Sequence, residues 1–345
     1  MVEVLSHSIV ETDRKRKADK EVMSSEAYRE YRLKWDLAGR EYHDFDFPIH
    51  MDLETTSVCN FRCVMCPQSY DREGIDFGFM SLDLFKKVID EGVQNGLCSV
   101  KFNWRGEPFL NPDIYEMIKY AKDKGIIETM TNTNGSLLTK ENCKKIIEAG
   151  LDKIIISIEG ATKETYEKIR ILGNYDILTR NIENLIEMKE KLGSRKPYIR
   201  VQTVRMKETA TEVDAFVEKW KDKVDYVSIN EYSNRGESKD RTAGIYMPVG
   251  RKPCPQIWQR LMIAWNGDVM MCCSDWYKKN CLGNVNNTSA KEIWHGQKLE
   301  SIRKLHLQSR LDLVAACKDC NIQDSYVFKL VDQKEISTTG LNVIQ

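Results

Sequence analysis

The chain has 345 residues, 41% hydrophobic and 30% charged, enough apolar material for one large core and a smaller second one. Lys+Arg and Asp+Glu both number 52, a formal net charge of zero, which argues against a surface built to neutralise nucleic acid or an anionic membrane. The longest apolar runs, such as Ile154 to Ile156 and Leu261 to Trp265, fall far short of the roughly 20 residues that cross a bilayer, and there is no apolar signal core. The expectation is a cytoplasmic protein with neither nucleic acid nor membrane as partner.

Residues 1–45 are charge-dense, with Arg14-Lys15-Arg16-Lys17 followed by Tyr28, Tyr31, Leu33 and Trp35. They read as a solvated basic run leading into a docking helix outside the main core. From His50 the pattern becomes an alternation of strand and helix. Candidate strands are Met51 to Thr56, Cys98 to Trp104, Ile126 to Thr133, Lys153 to Glu159, Tyr198 to Met206 and Val224 to Asn230, short and rich in β-branched or aromatic residues. Asn111-Pro112 opens a helix closed by Gly125, Thr139 opens one closed by Gly150, and Val213, Phe216, Val217 and Trp220 give a further helical stripe. Such alternation implies parallel pairing through right-handed crossovers, with chemistry at the carboxyl ends of the strands.

After residue 236 the alternation stops. Leu261 to Trp265, Asn266-Gly267 and Asp268 to Cys272 predict a β-hairpin with a type I′ turn. Thr288 to Gln297 and Leu299 to His306 look helical, and Cys317-Lys318-Asp319-Cys320 closes a small C-terminal domain.

Eleven cysteines in a chain without an export signal point to metal before disulfides. Cys98 and Cys143 stand alone and suit packing. Cys59, Cys63 and Cys66 lie directly after the first strand, where three thiolates on one tight loop can hold three irons of a cubane and leave the fourth open. Structural zinc, the alternative, wants four protein ligands. Cys254, Cys272, Cys317 and Cys320 give Cys-x17-Cys-x44-Cys-x2-Cys, which on spacing suits a complete four-iron cluster or a zinc site equally.

The Cys-x3-Cys-x2-Cys loop resembles the signature of radical S-adenosylmethionine (SAM) enzymes, and the resemblance covers roughly residues 50–232. It implies a partial (βα)6 TIM-like barrel, here with an N-terminal helical extension and a small C-terminal α+β domain. Arg105-Gly106-Glu107-Pro108 resembles the family's Gly-Gly-Glu-Pro, which binds the methionine amino group, although Arg105 departs from the first glycine. Thr133-Asn134-Gly135 resembles the turn after the third strand, and Ser157-Ile158-Glu159-Gly160 the segment that approaches the ribose; Gln202 and Val204 occupy positions that line the nucleoside in related enzymes. The resemblance further implies a SAM-binding [4Fe-4S] cluster on Cys59, Cys63 and Cys66, and a 5′-deoxyadenosyl radical that abstracts hydrogen.

Cys254-Pro255, the hairpin, Cys272-Cys273-Ser274-Asp275, Leu282-Gly283-Asn284-Val285, Glu292-Ile293-Trp294 and Cys317-x2-Cys320 together resemble the SPASM/twitch extension of these enzymes in its shortened form. That implies one auxiliary [4Fe-4S] cluster on Cys254, Cys272, Cys317 and Cys320. Cys272 is favoured over Cys273 because Gly267-x4-Cys272 matches the family spacing. The domains expected are 1–45, 46–235 for the barrel, 236–325 for the auxiliary-cluster domain, and a tail over 326–345.

The reaction expected is oxidation of a hydroxylated small molecule, sugar or aminocyclitol-like, to a ketone, with the auxiliary cluster accepting an electron. The alternatives are a sugar epimerase with Cys281 or Cys273 as hydrogen donor, and a peptide- or protein-modifying maturase. Arg170, Arg205, Asn230, Tyr232 and Asp275 are the polar candidates for handling the hydroxyl proton. Only five histidines occur and none lies within a cysteine cluster, so no His chemistry is assigned. A flavodoxin or ferredoxin-type reductant is the partner implied.

Overall fold

The computed structural model describes residues 7–70, 72–234 and 252–321; the expected tail over 326–345 and the stretch 236–251 lie outside them. The strands are β1 (His7–Ile9), β2 (His50–Leu53), β3 (Ser99–Lys101), β4 (Glu128–Thr133), β5 (Lys153–Ser157), β6 (Tyr198–Arg205), β7 (Tyr226–Glu231), β8 (Arg260–Ile263), β9 (Asp268–Met270) and β10 (Gly283–Asn284). They form one sheet in the order β1-β7-β6-β5-β4-β3-β2-β8-β9-β10. From β2 to β7 each strand pairs parallel with the next, as the alternation predicts, and the barrel stays open.

Alternation along the strands decides what faces where. Met51, Leu53, Val100, Ile154, Ile156, Ile199, Val201 and Val227 are buried in one core with Phe85, Val88, Ile89, Met117, Ile118, Ile146, Ile182 and Leu185 of the surrounding helices. The intervening residues, Asp52, Lys101, Met130, Ile155, Ser157, Arg200, Gln202, Ser228 and Asn230, therefore face the barrel interior.

The N-terminal segment departs from expectation. β1, which composition did not signal, pairs antiparallel with β7. Helix α1 (Asp13–Val22) holds its basic run by pairing Lys15 with Glu11 and Asp19 and by donating from Arg14 Nε to Asp222 O. Helix α2 (Glu26–Arg40) is part of the main core: Tyr28, Tyr31, Trp35 and Ala38 are all buried in it. Their spacing makes one apolar stripe, and it closes the floor of the barrel. Tyr28 Oη donates to Glu128 Oε1 (3.1 Å), Lys153 Nζ pairs with Glu128 (2.6 Å), Ser99 Oγ donates to Tyr31 Oη (3.1 Å) and Gln259 Nε2 to Trp35 O (3.1 Å).

The C-terminal region continues the barrel sheet. β8 adds parallel to β2, with Asp52 opposite Met262, and β9 and β10 follow antiparallel. The β8–β9 hairpin forms, but its turn is not type I′, which needs positive φ at both central residues. Only Gly267 of the Asn266-Gly267 pair has it (φ +89°). Gly267 N donates to Ala264 O (2.9 Å) and Ala264 N to Asp268 O (2.8 Å), so the loop takes in Trp265 and ends on glycine in the left-handed region.

Candidate active site

The chain leaves β2 through Glu54–Thr56 and enters the loop Cys59–Cys66. That loop is pinned from several sides. Arg62 N and Val64 N donate to Ile171 O and Ile169 O (both 3.0 Å), Ser69 Oγ to Cys63 O (2.7 Å), and Asn134 Nδ2 to Asn60 Oδ1 (2.8 Å). Arg170 bridges two candidates: its Nε pairs with Glu159 and its Nη1 donates to Cys63 Sγ (3.4 Å). Burial pushes the Cys59 thiol up to about 12, and the neighbouring charges of Glu107, Cys63 and Cys66 push the same way. Burial also raises Cys63, with Arg170 opposing it. The loop therefore gathers desolvated thiols that a cationic centre would relieve of their protons.

Beyond β3, Gly106 meets the segment leading into this loop backbone to backbone. A Cβ there would lie 2.2 Å from Thr56 O and 2.7 Å from Val58 O, and Glu107 N donates to Val58 O (2.9 Å). Only glycine permits so close an approach. The buried Glu107 carboxylate then joins two strand ends: Oε1 accepts from Thr133 Oγ1 (2.7 Å) and Oε2 from Asn134 N (2.7 Å). Burial lifts its pKa to about 7 against those hydrogen bonds. Gly106, Glu107, Thr133 and Asn134 are thus brought together against the cysteine loop.

Arg105, the departure from glycine, has a partner that sequence reasoning missed. Its guanidinium grips Glu54 bidentately (Nε to Oε1 2.6 Å, Nη2 to Oε2 2.9 Å), both side chains fully buried, and lies 4.2 Å from the Trp104 ring centroid. Trp104 Nε1 donates to Cys273 O (2.8 Å) and Arg105 Nη1 to Trp276 O (3.5 Å). The second strand end is tied in this way to the second cysteine region.

Farther round the barrel, Gln202 Nε2 donates to Ser157 Oγ and Asn230 Nδ2 to Gln202 Oε1 (both 3.1 Å), while Asn132 N donates to Asn103 Oδ1 (2.8 Å). The buried Oδ1 atoms of Asn132 and Asn230 have no hydrogen-bond partner among the described residues. Nearer the floor, Asp52 takes Arg260 Nη1 (3.3 Å) with Lys101 at 3.9 Å, and Arg200, level with Asn132, donates from Nε to Ser228 Oγ (2.8 Å). Val204 and Tyr232 pack with Ile169, Met206, Val64 and Met65 beside the cysteine loop.

In the C-terminal region Cys272 is buried and faces Cys273, Cys317, Cys254 and Cys320; burial first, then those charges, raise its thiol. Burial likewise takes Cys254 up to about 12. Asn321 Nδ2 donates to Tyr232 O (3.0 Å) and Asn234 Nδ2 to Asp319 O (2.9 Å), which anchors the Cys317–Cys320 turn to the end of β7. No histidine lies within a cysteine cluster of the sequence, yet the fold brings one to the cysteines. His306, on the helix Gln297–Leu307 and fully buried, takes a hydrogen bond from Cys254 N at Nδ1 (3.2 Å) and brings Nε2 to 3.4 Å from Cys317 Sγ. Burial holds its pKa down at about 4. Nothing local marks it in the sequence, because helix packing and not spacing carries it to the cysteines.

Residues 53–213 match the Radical SAM superfamily, and residues 254–321 match SPASM, an iron-sulfur cluster-binding domain. The chain carries a radical SAM domain followed by a SPASM domain. It is 32% identical over 162 residues to a tungsten-containing aldehyde ferredoxin oxidoreductase cofactor-modifying protein of Pyrococcus furiosus, a match covering 46% of this chain and 44% of that one. The chain spans less than half the length of the curated relatives it matches first. In fold it is similar to BtrN in complex with AdoMet and 2-DOIA (TM-score 0.55, 19% identity, 81% of this chain and 94% of that one). It is also similar to anSMEcpe with bound AdoMet and Cp18Cys peptide (TM-score 0.57, 18% identity, 79% and 88%).

A radical SAM domain holds a four-iron cluster and SAM, and a SPASM domain holds a further iron–sulfur cluster. The donor sets fit. Both are all-cysteine, the thiols carry no disulfides, and each set is desolvated and mutually close enough for its charges to interact. Among the described residues no three His, Cys, Asp or Glu side chains close around a single-ion site. Several candidates for handling a proton have other work. Arg170 braces Glu159 and Cys63, Arg205 pairs with Glu231, and Asp275 accepts from the backbone of Lys279 (2.7 Å) and Asn280 (2.8 Å) to shape the SPASM loop. Cys281 donates locally to Gly283 O (3.4 Å), whereas Cys273 sits by Gln256 Oε1 (3.6 Å), its carbonyl accepting from Trp104 Nε1. No helix among the described residues is long and apolar enough to cross a membrane.

Proposed function

We propose that this radical SAM protein oxidises a hydroxylated, sugar-type small molecule at a carbinol carbon. The observation that carries the reading is a pair of buried amide oxygens on the inner face of the barrel, Asn132 Oδ1 and Asn230 Oδ1, that no donor among the described residues satisfies. Buried acceptors of this kind are costly unless a ligand's hydroxyls satisfy them. Asp52, paired with Arg260 (3.3 Å) and 3.9 Å from Lys101, lies nearer the floor than Asn132.

When bound, SAM and the two clusters would supply a hydrogen-abstracting 5′-deoxyadenosyl radical and a sink for the electron that leaves as the ketone forms, the hydroxyl proton passing to solvent. The chain does the positioning. Cys59, Cys63 and Cys66 would hold the first cluster, with Arg170 orienting Cys63. Glu107 sets the Thr133–Asn134 turn where the methionine end would lie; Ser157, Glu159, Gln202 and Val204 would line the nucleoside. Helix α2 closes the floor against water, and Val204, Tyr232, Ile169 and Met206 form an apolar wall. Cys254, Cys272, Cys317 and Cys320 would hold the second cluster. A flavodoxin or ferredoxin-type reductant in a reducing, oxygen-poor compartment completes the proposal.

An epimerase is the second reading, carried by the half-buried Cys273 thiol next to the Trp104 contact. Anaerobically reconstituted protein, incubated with sugar acids, phosphorylated sugars, neutral sugars and aminocyclitols in deuterated water, separates the readings by mass spectrometry. Oxidation appears as loss of two hydrogens from one of these compounds, epimerisation as one deuterium gained. 5′-Deoxyadenosine formed with a peptide and with none of these small molecules would overturn both in favour of a maturase.

A further inference from the structure

We propose that His306 is a positioning residue for the SPASM cluster, donating a hydrogen bond from Nε2–H to the Cys317 thiolate and thereby raising the cluster's reduction potential. The geometry fixes the tautomer. The backbone N–H of Cys254 can only donate, and it points at Nδ1 from 3.2 Å, so Nδ1 is an acceptor and carries no proton. The ring's one N–H then belongs to Nε2, which lies 3.4 Å from Cys317 Sγ, an ordinary N–H···S distance. The ring is fully buried, packed edge-on against Trp258 at 6.2 Å, so its orientation is set by the protein. One imidazole therefore joins cysteines contributed by opposite ends of the domain. Hydrogen bonds to cluster sulfurs stabilise the reduced, more negative state and move the potential upward.

The inference rests on Cys317 being a cluster ligand, which the iron content of Cys317→Ala reads separately. The test uses the full chain with Cys59, Cys63 and Cys66 replaced by alanine, leaving only the SPASM cluster, reconstituted anaerobically and titrated by electron paramagnetic resonance. His306→Phe, which keeps the ring and removes the donor, is expected to load the same iron with a midpoint shifted to more negative potential. His306→Gln, which can still donate, is expected to recover part of the shift. An unchanged midpoint at equal iron loading overturns the proposal. Should His306→Phe fail to load iron, pulsed measurements on the reduced cluster with 15N-histidine decide: a weak coupling to one histidine nitrogen supports the hydrogen bond, and its absence overturns it.

Discussion

A methyl group at position 106 has nowhere to go, because the oxygens it would strike, Thr56 O and Val58 O, are backbone carbonyls of the segment leading into the cysteine loop. Gly106→Ala is expected to lower stability by about 1–3 kcal/mol, as overpacking does, and to abolish 5′-deoxyadenosine formation while the SPASM cluster still loads; denaturant titration and iron analysis read the two effects. Arg105→Gly, which restores the glycine usual in the family, leaves the buried Glu54 carboxylate without its guanidinium and with only the hydrogen bond from Trp265 N (3.3 Å) that the structure otherwise gives it. A loss of roughly 3–5 kcal/mol is expected, and the Arg105→Leu, Glu54→Leu pair should recover most of it. A mild Arg105→Gly variant would contradict that reading. Glu107, Thr133 and Asn134 were legible as motifs at successive strand ends. Glu54 and His306 were not, since each acts through a partner distant in sequence, and spacing carries no record of such contacts.

The elements divide in the same way. The parallel strands were readable within a few residues because each couples a short apolar run to a capped helix. The stripe on α2 announced a buried face but not its counterpart, which is the barrel floor. β8 is a short apolar run whose parallel pairing with β2 no local signal specifies. Truncating Trp35 to Ala is expected to cost about 3–5 kcal/mol, a value no solvated extension would give. Asp152 joins β4 to β5. Burial would raise its carboxyl, but Lys122 and Lys196 hold it below the ordinary carboxylate value, and Thr129 donates to it from N (2.8 Å) and Oγ1 (2.9 Å). A carboxylate with a depressed folded pKa contributes stability above its unfolded value of about 3.9 and loses it as pH falls through the folded one. Asp152→Asn should therefore lower stability at neutral pH and flatten the acid limb of the stability profile; an unchanged acid limb would contradict the assignment.

Over the whole molecule, one sheet runs from β1 through the barrel into the SPASM domain, and Trp104 and Arg105 tie the strand ends to Cys273 and Trp276. The two halves should unfold in one transition, and a fragment ending at 234 should aggregate through the uncovered edge of β2. Zero net charge and the alternation of elements bounded the class of protein, but the buried amides inside the barrel, on which the substrate reading depends, became visible only once register placed Asn132 and Asn230 on its inner face. The central claim is that Cys59, Cys63 and Cys66 hold a cluster with one iron open to SAM. Electron paramagnetic resonance of the reduced, anaerobically reconstituted protein, with and without SAM, tests it in two variants. With Cys254, Cys272, Cys317 and Cys320 replaced, SAM should change the remaining cluster's signal; with Cys59, Cys63 and Cys66 replaced, SAM should leave it unchanged. A SAM response in the second variant and none in the first, or zinc in place of iron at the first site, would contradict the account.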